Sequence, residues 1–346
     1  MKNWTYILYI GLLGCFTMAC QPSLEEEVQL PPGKVQISFT LALDELNSRS
    51  RAEGDWNEVE TTTGVIGNSY ENQIDLQNGL QVLVYTENGN QFIGKVINPD
   101  VIRQQTENGR IYEFQGDLEI DANYINQSQL SCRLMVFANC ATVADHNKEN
   151  LTFSHDAAFI PMWGVQTCTL TLTKGEVSRV PQTIYMLRAM AKVDVRMSDA
   201  IKSEHKLTSV TLDKYNSFGY VLPSGYVSAS HTESLLQQNV FRPLSGAGEG
   251  SLSFVGSDGV FHIYIPEYQN VGENFTPATM KLVVNGKEYA LEFKDYVTDA
   301  PFNIVRNHYY QYTITAVNSI ENILVADLSY QSIPWTDVDN GELKFN

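Results

Sequence analysis

The sequence predicts an all-β protein of two β-sandwich domains in tandem. Three observations predict it. Apolar and polar residues alternate with a period of two almost throughout, Asn-Gly pairs separate alternating runs, and the spacing of an amphipathic helix is scarce. One buried face and one wet face is what antiparallel sheets packed against each other require.

The N-terminal segment carries no such alternation. Lys2 supplies a positive charge, and Trp4 to Met18 is an apolar run shorter than the roughly 20 residues of a comfortable membrane span, as in a signal peptide. Ala19 then precedes Cys20, which resembles a bacterial lipobox, with Thr17 standing where such boxes carry Leu. Residues 1–19 are therefore expected to be a lipoprotein signal and Cys20 the acylated residue; an ordinary signal cut near Ala19 would leave Cys20 a free thiol. Residues 20–33, CQPSLEEEVQLPPG, read as a flexible acidic tether, too charged and too rich in proline to pack. A diacylated terminus carries two chains, enough for stable anchoring. Together these features predict an outward-facing outer-membrane lipoprotein precursor.

The first strand follows at once. In Val35–Leu43, the residues Val35, Ile37, Phe39, Leu41 and Leu43 share one face. From Asp44 to Asn72 no pattern is sustained, which predicts a long exposed loop, and Arg49 and Arg51 lie in it. Asn88-Gly89 separates LQVLVYT from QFIGKVI, Asn108-Gly109 separates a further pair, and Asn285-Gly286 lies between MKLVV and KEYALEF. Asn-Gly flanked by alternating runs is the strongest short-range hairpin signal. Ala191, Val193, Val195 and Met197 alternate with Lys192, Asp194 and Arg196; Cys168, Leu170 and Leu172 alternate with threonines; Tyr289, Leu291 and Phe293 alternate with polar residues. TESLLQQNV (232–240) fits a short helix. Pro181 interrupts the stretch from Gly175 to Gln182, so one sandwich is expected over 34–178 and the other over 183–346.

A net charge of −17 leaves no basic patch to neutralise phosphates, which argues against nucleic acid as a partner. Beyond the leader stand Cys132, Cys140 and Cys168, an odd number that cannot pair completely. Cys132 and Cys140 would be roughly 26 Å apart on a straight strand. With no Cys-x-x-Cys, the three read as small buried apolar residues rather than redox or metal groups.

No catalytic constellation stands out. The six histidines are scattered singly, and neither His-Glu-x-x-His nor Gly-x-Ser-x-Gly occurs. Ser245 to Gly250 has glycines without the Lys-Ser/Thr of a phosphate loop, and Asp337 to Gly341 lacks the terminal Glu of a calcium loop. Glu119 and Asp121 are a carboxylate pair that sequence cannot place across a cleft. The chain is expected to be no enzyme and to use no cofactor.

Several short segments in order carry a resemblance: Phe159-Ile-Pro-Met-Trp-Gly164, Tyr185 to Val195, Tyr264-Ile-Pro-Glu267, Phe302 to Ile314, and Ile333-Pro-Trp335. Behind a lipoprotein leader, this series resembles the fimbrillin family, the subunits of type V pili of Bacteroidales. The resemblance spans nearly the whole chain but does not separate shaft, tip and anchor subunits. It implies sandwiches of Greek-key, transthyretin-like type and a structural subunit of an adhesive surface pilus, exported as a lipoprotein, cut by an Arg-specific protease after the first strand, and polymerised when a neighbour's strand fills the vacated groove. The partners it implies are other pilus subunits, that protease, the outer-membrane lipid on Cys20, and a host or glycan ligand.

Carried onto this chain, the cut falls at Arg49 or Arg51, the latter freeing Ala52 as the new terminus. Val35, Ile37, Phe39, Leu41 and Leu43 form the displaced strand. Five such side chains contribute about 1.5–3 kcal/mol each, so an emptied groove leaves on the order of 10 kcal/mol unsatisfied, together with an unpaired sheet edge. The donor is expected between Asn322 and Asn346, with Leu324, Ala326, Leu328 and Tyr330 alternating and Leu343 and Phe345 filling pockets. Val35–Leu43 locked mid-sheet, bonded on both sides with no accessible loop behind it, would defeat this reading. The alternatives are an uncut anchor, a tip subunit, or a surface lipoprotein that captures glycans on its 18 tyrosines and 4 tryptophans.

Overall fold

The alternation along Val35–Leu43 becomes a strand whose apolar side lies wholly inside: Val35, Ile37, Phe39, Leu41 and Leu43 are all buried. A computed structural model of the chain describes residues 35–43, 74–75, 79–89, 91–105, 111–143, 148–236, 240–244, 249–254, 256, 259–295, 299–318 and 323–332. Leader, tether and the stretch holding Arg49, Arg51 and Ala52 lie outside these residues, as do Leu343 and Phe345.

The first half of the chain forms β1 (Val35–Ala42), β2 (Leu80–Thr86), β3 (Phe92–Gln105), β4 (Ile111–Ile120), β5 (Gln129–Ala138), β6 (Thr152–Ser154), β7 (Met162–Thr171), β8 (Val177–Tyr185) and β9 (Leu187–Arg188). Eight of these make one sheet in the order β8-β1-β4-β3-β2-β5-β7-β9. Its two ends meet. Gly164 in β7 lies so close to β8 that a Cβ there would come within 2.7 Å of the Tyr185 carbonyl oxygen, and the Thr171 amide donates to Ser178 Oγ at 2.9 Å. The sheet thus wraps round one hydrophobic core that takes in Phe39, Phe114, Phe137 and Trp163.

The second half supplies β10 (Met190–Met197), β11 (Leu207–Lys214), β12 (Phe218–Tyr220), β13 (Glu249–Phe254), β14 (Val260–Pro266), β15 (Thr279–Val284), β16 (Lys287–Glu292), β17 (Lys294–Asp295), β18 (Ala300–Pro301), β19 (His308–Asn318) and β20 (Ile323–Ser332). Two four-stranded sheets, β14-β10-β19-β20 and β13-β11-β15-β16, enclose a second core. Val193 and Val195 of β10, Tyr310 and Tyr312 of β19, and Leu282 and Leu291 of the facing sheet meet there. This is the face-to-face packing that the alternation predicts. Asn285 and Gly286 take φ of 50° and 80° in the two-residue turn between β15 and β16, the positive angles a type I′ hairpin needs. Gly89, also at positive φ, turns β2 into β3, while Asn108-Gly109 lies outside the described residues.

Three expectations change. The stretch 175–182, read as a boundary, runs into β8, so the first sheet continues through Tyr185 and on to β9. The expected helix at 232–240 is a single turn, Glu233–Leu236; with Ala122–Ile125 it is one of two short α-helices among the described residues. The two cores also do not divide where the sequence suggested. Val221, Leu222, Tyr226, Ala229, Leu235 and Val240, from the second half, pack into the first core. β12 pairs with β6 across the halves, and Thr232 binds both the amide and the carbonyl of Val165.

Candidate functional site

The site is the slot that β1 occupies. On one side β1 runs antiparallel to β4, from Val35 opposite Leu118 to Ala42 opposite Ile111. On the other it runs parallel to β8, from Gln36 beside Val177 to Ala42 beside Tyr185. The register slips between Ser38 and Thr40, where β8 carries two extra positions around Pro181. Proline has no N–H to give, and a strand tolerates it at an irregularity of this kind. The break that reads as a domain boundary in sequence is therefore a defect within a pairing strand.

Inside the slot, the Phe39 ring stacks on Phe114 with centroids 5.5 Å apart. On the outer side Gln36 Nε2 donates to Asp117 Oδ1 at 3.1 Å, and Gln115 Nε2 donates to Gln36 Oε1 at 2.5 Å. The C-terminal end is clamped: the Met186 amide donates to the Ala42 carbonyl at 2.9 Å, and Arg188 Nη2 donates to the Leu43 carbonyl at 3.1 Å. Sequence reasoning found the buried face of β1 but missed β8 and the Met186–Arg188 clamp. No clean alternation marks β8, since Val177, Val180 and Ile184 stand three and four residues apart with Pro181 between them.

The single free edge expected on removal of Val35–Leu43 is corrected to two. The chain returns to lay β8 alongside β1 on the side away from β4, so β1 is held on both sides. Without it, β4 and β8 would face each other across a gap, and β8 would lose the one hydrogen-bonded strand neighbour it has in the sheet among the described residues. The chain behind Leu43 lies outside the described residues.

The expected donor segment also has a place of its own. β20 pairs antiparallel with β19 along its length, setting Leu324, Ala326, Leu328 and Tyr330 opposite Val317, Ile314, Tyr312 and Tyr310. It is the last strand of its sheet.

Two buried polar clusters lie elsewhere. Arg306 Nη2 meets Glu267 Oε2 at 2.7 Å, and the other guanidinium bonds reach the Val221 and Tyr220 carbonyls at 2.7 and 3.0 Å. Glu267 further accepts from the amides of Arg306 and Arg242. In the second cluster, His262 Nδ1 and Tyr309 Oη each lie 2.7 Å from the Asp194 carboxylate, with the Lys192 ammonium 4.8 Å from the Tyr309 ring centroid. Burial pushes the Asp194 carboxyl up, but Lys192, His262 and Tyr309 outweigh it and hold it below its usual range. The carboxylate is 2% exposed and bonds strand to strand, which is a structural use of charge. Asp121 caps the helix Ala122–Ile125 through the Asn123 amide, and Glu119 lies opposite Lys95. Tyr309, Tyr310 and Tyr312 are buried, so they offer no aromatic platform to a glycan. An open cleft of about 760 Å³ outside β2–β4 has Phe92 as the one aromatic in its lining, among the described residues.

No family sequence profile matches the chain, and no curated protein sequence does. Its fold is similar to that of the fimbrial tip protein Mfa3 of Porphyromonas gingivalis, solved with a C-terminal truncation: TM-score 0.50 and 13% identity over 86% of this chain and 99% of that one. A fimbrial assembly protein of Parabacteroides distasonis aligns with TM-score 0.48 and 13% identity over 85% and 99% of the two chains. A candidate cell adhesion protein of Bacteroides uniformis aligns with TM-score 0.47 and 11% identity over 88% and 98%.

Proposed function

We propose that this chain is a structural subunit of an adhesive cell-surface pilus, exported as a lipoprotein through Cys20 and polymerised by replacing β1 with a strand from another subunit. One observation carries the reading. The first described strand fills a slot whose two walls, β4 and β8, come from later in the chain. The covalent link from it to those walls runs through residues 44–73, and Arg49 and Arg51 lie in that link. The fold shared with a fimbrial tip protein supports the same reading.

Held on both sides, β1 does not leave unaided. Five buried side chains contribute on the order of 10 kcal/mol, and two ladders of hydrogen bonds add to that. A cut frees the strand without lowering this cost. Exchange therefore needs an incoming strand that restores both ladders and the apolar contacts, which is strand addition taken to completion. Head-to-tail donation of this kind does not close and so builds a filament.

The pairing of β20 with β19 favours a particular second reading: a subunit at a filament end, a tip or an uncut anchor. A chain that keeps β20 in its own sheet can accept a donor but has none of its own in β20 to offer.

The test is treatment of the purified full chain with an Arg-specific protease, followed by unheated SDS gels and N-terminal sequencing. A new start at Ala52 with a ladder of SDS-resistant multimers is expected of a shaft subunit, and R49A/R51A abolishes both. A start at Ala52 with a single added donor band places the subunit at an end. Persistent monomer after complete cleavage, also with a synthetic β1 or β20 peptide in excess, overturns strand replacement. An acylated, uncut terminus on cells indicates an anchor, and polysaccharide retention by the monomer favours the glycan-binding reading.

A further inference from the structure

β5 and β7 lie side by side in register for ten residues, from Gln129 opposite Thr171 to Ala138 opposite Met162. Within that ladder Cys132 stands directly opposite Cys168, and their Sγ atoms are 4.0 Å apart. Directly opposed residues of an antiparallel pair have Cα atoms about 4.5–5.5 Å apart, inside the roughly 4.4–6.8 Å that a disulfide spans. Bringing the sulfurs to about 2.05 Å needs side-chain rotation, not a change of register. Cys140 lies beyond the last register pair of β5, so it does not compete for either partner.

We propose that Cys132 and Cys168 are joined by a disulfide in the exported protein, a covalent staple between β5 and β7. Disulfides persist in oxidising compartments, and the reading of Lys2–Ala19 as an export leader sends the chain to one. The oxidant is a disulfide-bearing exchange partner, protein or small molecule. One cysteine thiolate attacks its S–S bond and displaces a donor thiolate, giving a mixed disulfide. The second cysteine thiolate then attacks the protein sulfur and displaces the other donor thiolate. Two protons leave the protein, the cysteines are oxidised by two electrons, and the donor is reduced to two thiols.

The surroundings set the timing. Cys132 is wholly buried and Cys168 nearly so, out of reach of a donor once the sheet has closed. The neighbouring Cys168 thiol and burial both push the Cys132 thiol upward, which leaves little thiolate in the folded protein. Exchange therefore accompanies folding, and the finished bond is shielded from reductants.

If β1 is replaced as proposed above, the staple has a second consequence. β8 then loses its strand neighbour, while the Thr171–Ser178 bond and the close approach at Gly164 still hold it against β7. A β7 fixed to β5 keeps that wall of the slot in position.

The test takes the full chain from the surface of an exporting host, blocks free thiols with iodoacetamide in denaturant, digests without reductant and analyses the peptides by mass. A peptide pair linked through Cys132 and Cys168, with Cys140 alkylated, is expected. Dithiothreitol added to the unfolded protein before refolding then lowers Tm by about 5–10 °C, and the same treatment leaves the C132A/C168A variant unmoved. Complete alkylation of Cys132 and Cys168, or a bond from either to Cys140, overturns the proposal. The mass readout does not depend on polymerisation, so it fails or succeeds independently of the pilus reading.

Discussion

Arg306 and Glu267 form an ion pair sealed from water, with Nη2 and Oε2 2.7 Å apart and side-chain exposures of 1% and 2%. Glu267 ends the segment Tyr264-Ile-Pro-Glu267, and Arg306 lies within Phe302 to Ile314, two of the motifs that carried the resemblance. The pair reaches across to the Tyr220 and Val221 carbonyls, and Val221 packs into the first core. These motif residues thus hold in place the segment through which the second half packs into the first core.

Breaking the pair from one side strands a buried charge. Arg306→Met or Glu267→Gln is expected to cost about 3–5 kcal/mol in urea unfolding. Replacing both, as E267L/R306M, costs less than the two single changes added together, because no charge is left unpaired. A double-mutant cycle measures the difference.

Gly164→Ala places a Cβ within 2.7 Å of the Tyr185 oxygen and 2.8 Å of Met186 Sδ. The backbone contact cannot yield by side-chain rotation, so β7 and β8 must separate. A loss of about 1–3 kcal/mol is expected, with faster amide exchange in β8 than in β3.

Phe39→Ala removes the ring stacked on Phe114 and should destabilise the uncut protein by about 3–5 kcal/mol. Once β1 has been replaced by a donor, the same substitution should have no effect on multimer stability, whereas Phe114→Ala should weaken both forms. Thermal melts of uncut and assembled protein distinguish the two.

His308 is expected to make the fold sensitive to acid. Burial lowers its pKa, against the opposing pull of the Arg306 carbonyl and the Glu267 charge. A histidine held neutral in the fold and protonated when unfolded adds stability above about pH 6.5, and that stability is lost as pH falls through the lower folded value. Asp194, also held below its ordinary range, adds a loss at still lower pH by the same sign. In H308Q the decline as pH falls below about 6.5 should flatten, as urea midpoints measured on either side of that pH would report.

The all-β character was legible because alternation is written locally. Val35–Leu43, Ala191–Met197 and the Asn285-Gly286 turn each need only their own residues to be recognised. Strand order was not legible. That β8 lies parallel to β1 depends on where the chain returns after β7, and Pro181 looks the same in sequence whether it ends a domain or disturbs a ladder. Cys132 and Cys168 are 36 positions apart in sequence, so nothing local announces that they face each other. The packing of Val221, Leu222, Leu235 and Val240 onto the first core was equally hidden, since these residues carry no period of their own.

The mixed pairing of β1 has a geometric consequence. Because one wall of its slot is antiparallel and the other parallel, the two ladders together define an arrow. A replacement strand laid in backwards would turn both ladders into the opposite kind and lose both hydrogen-bond registers at once. Each junction would then admit its neighbour in one orientation only, and a fibre grown by such insertions would have a distinct front and back along its entire length.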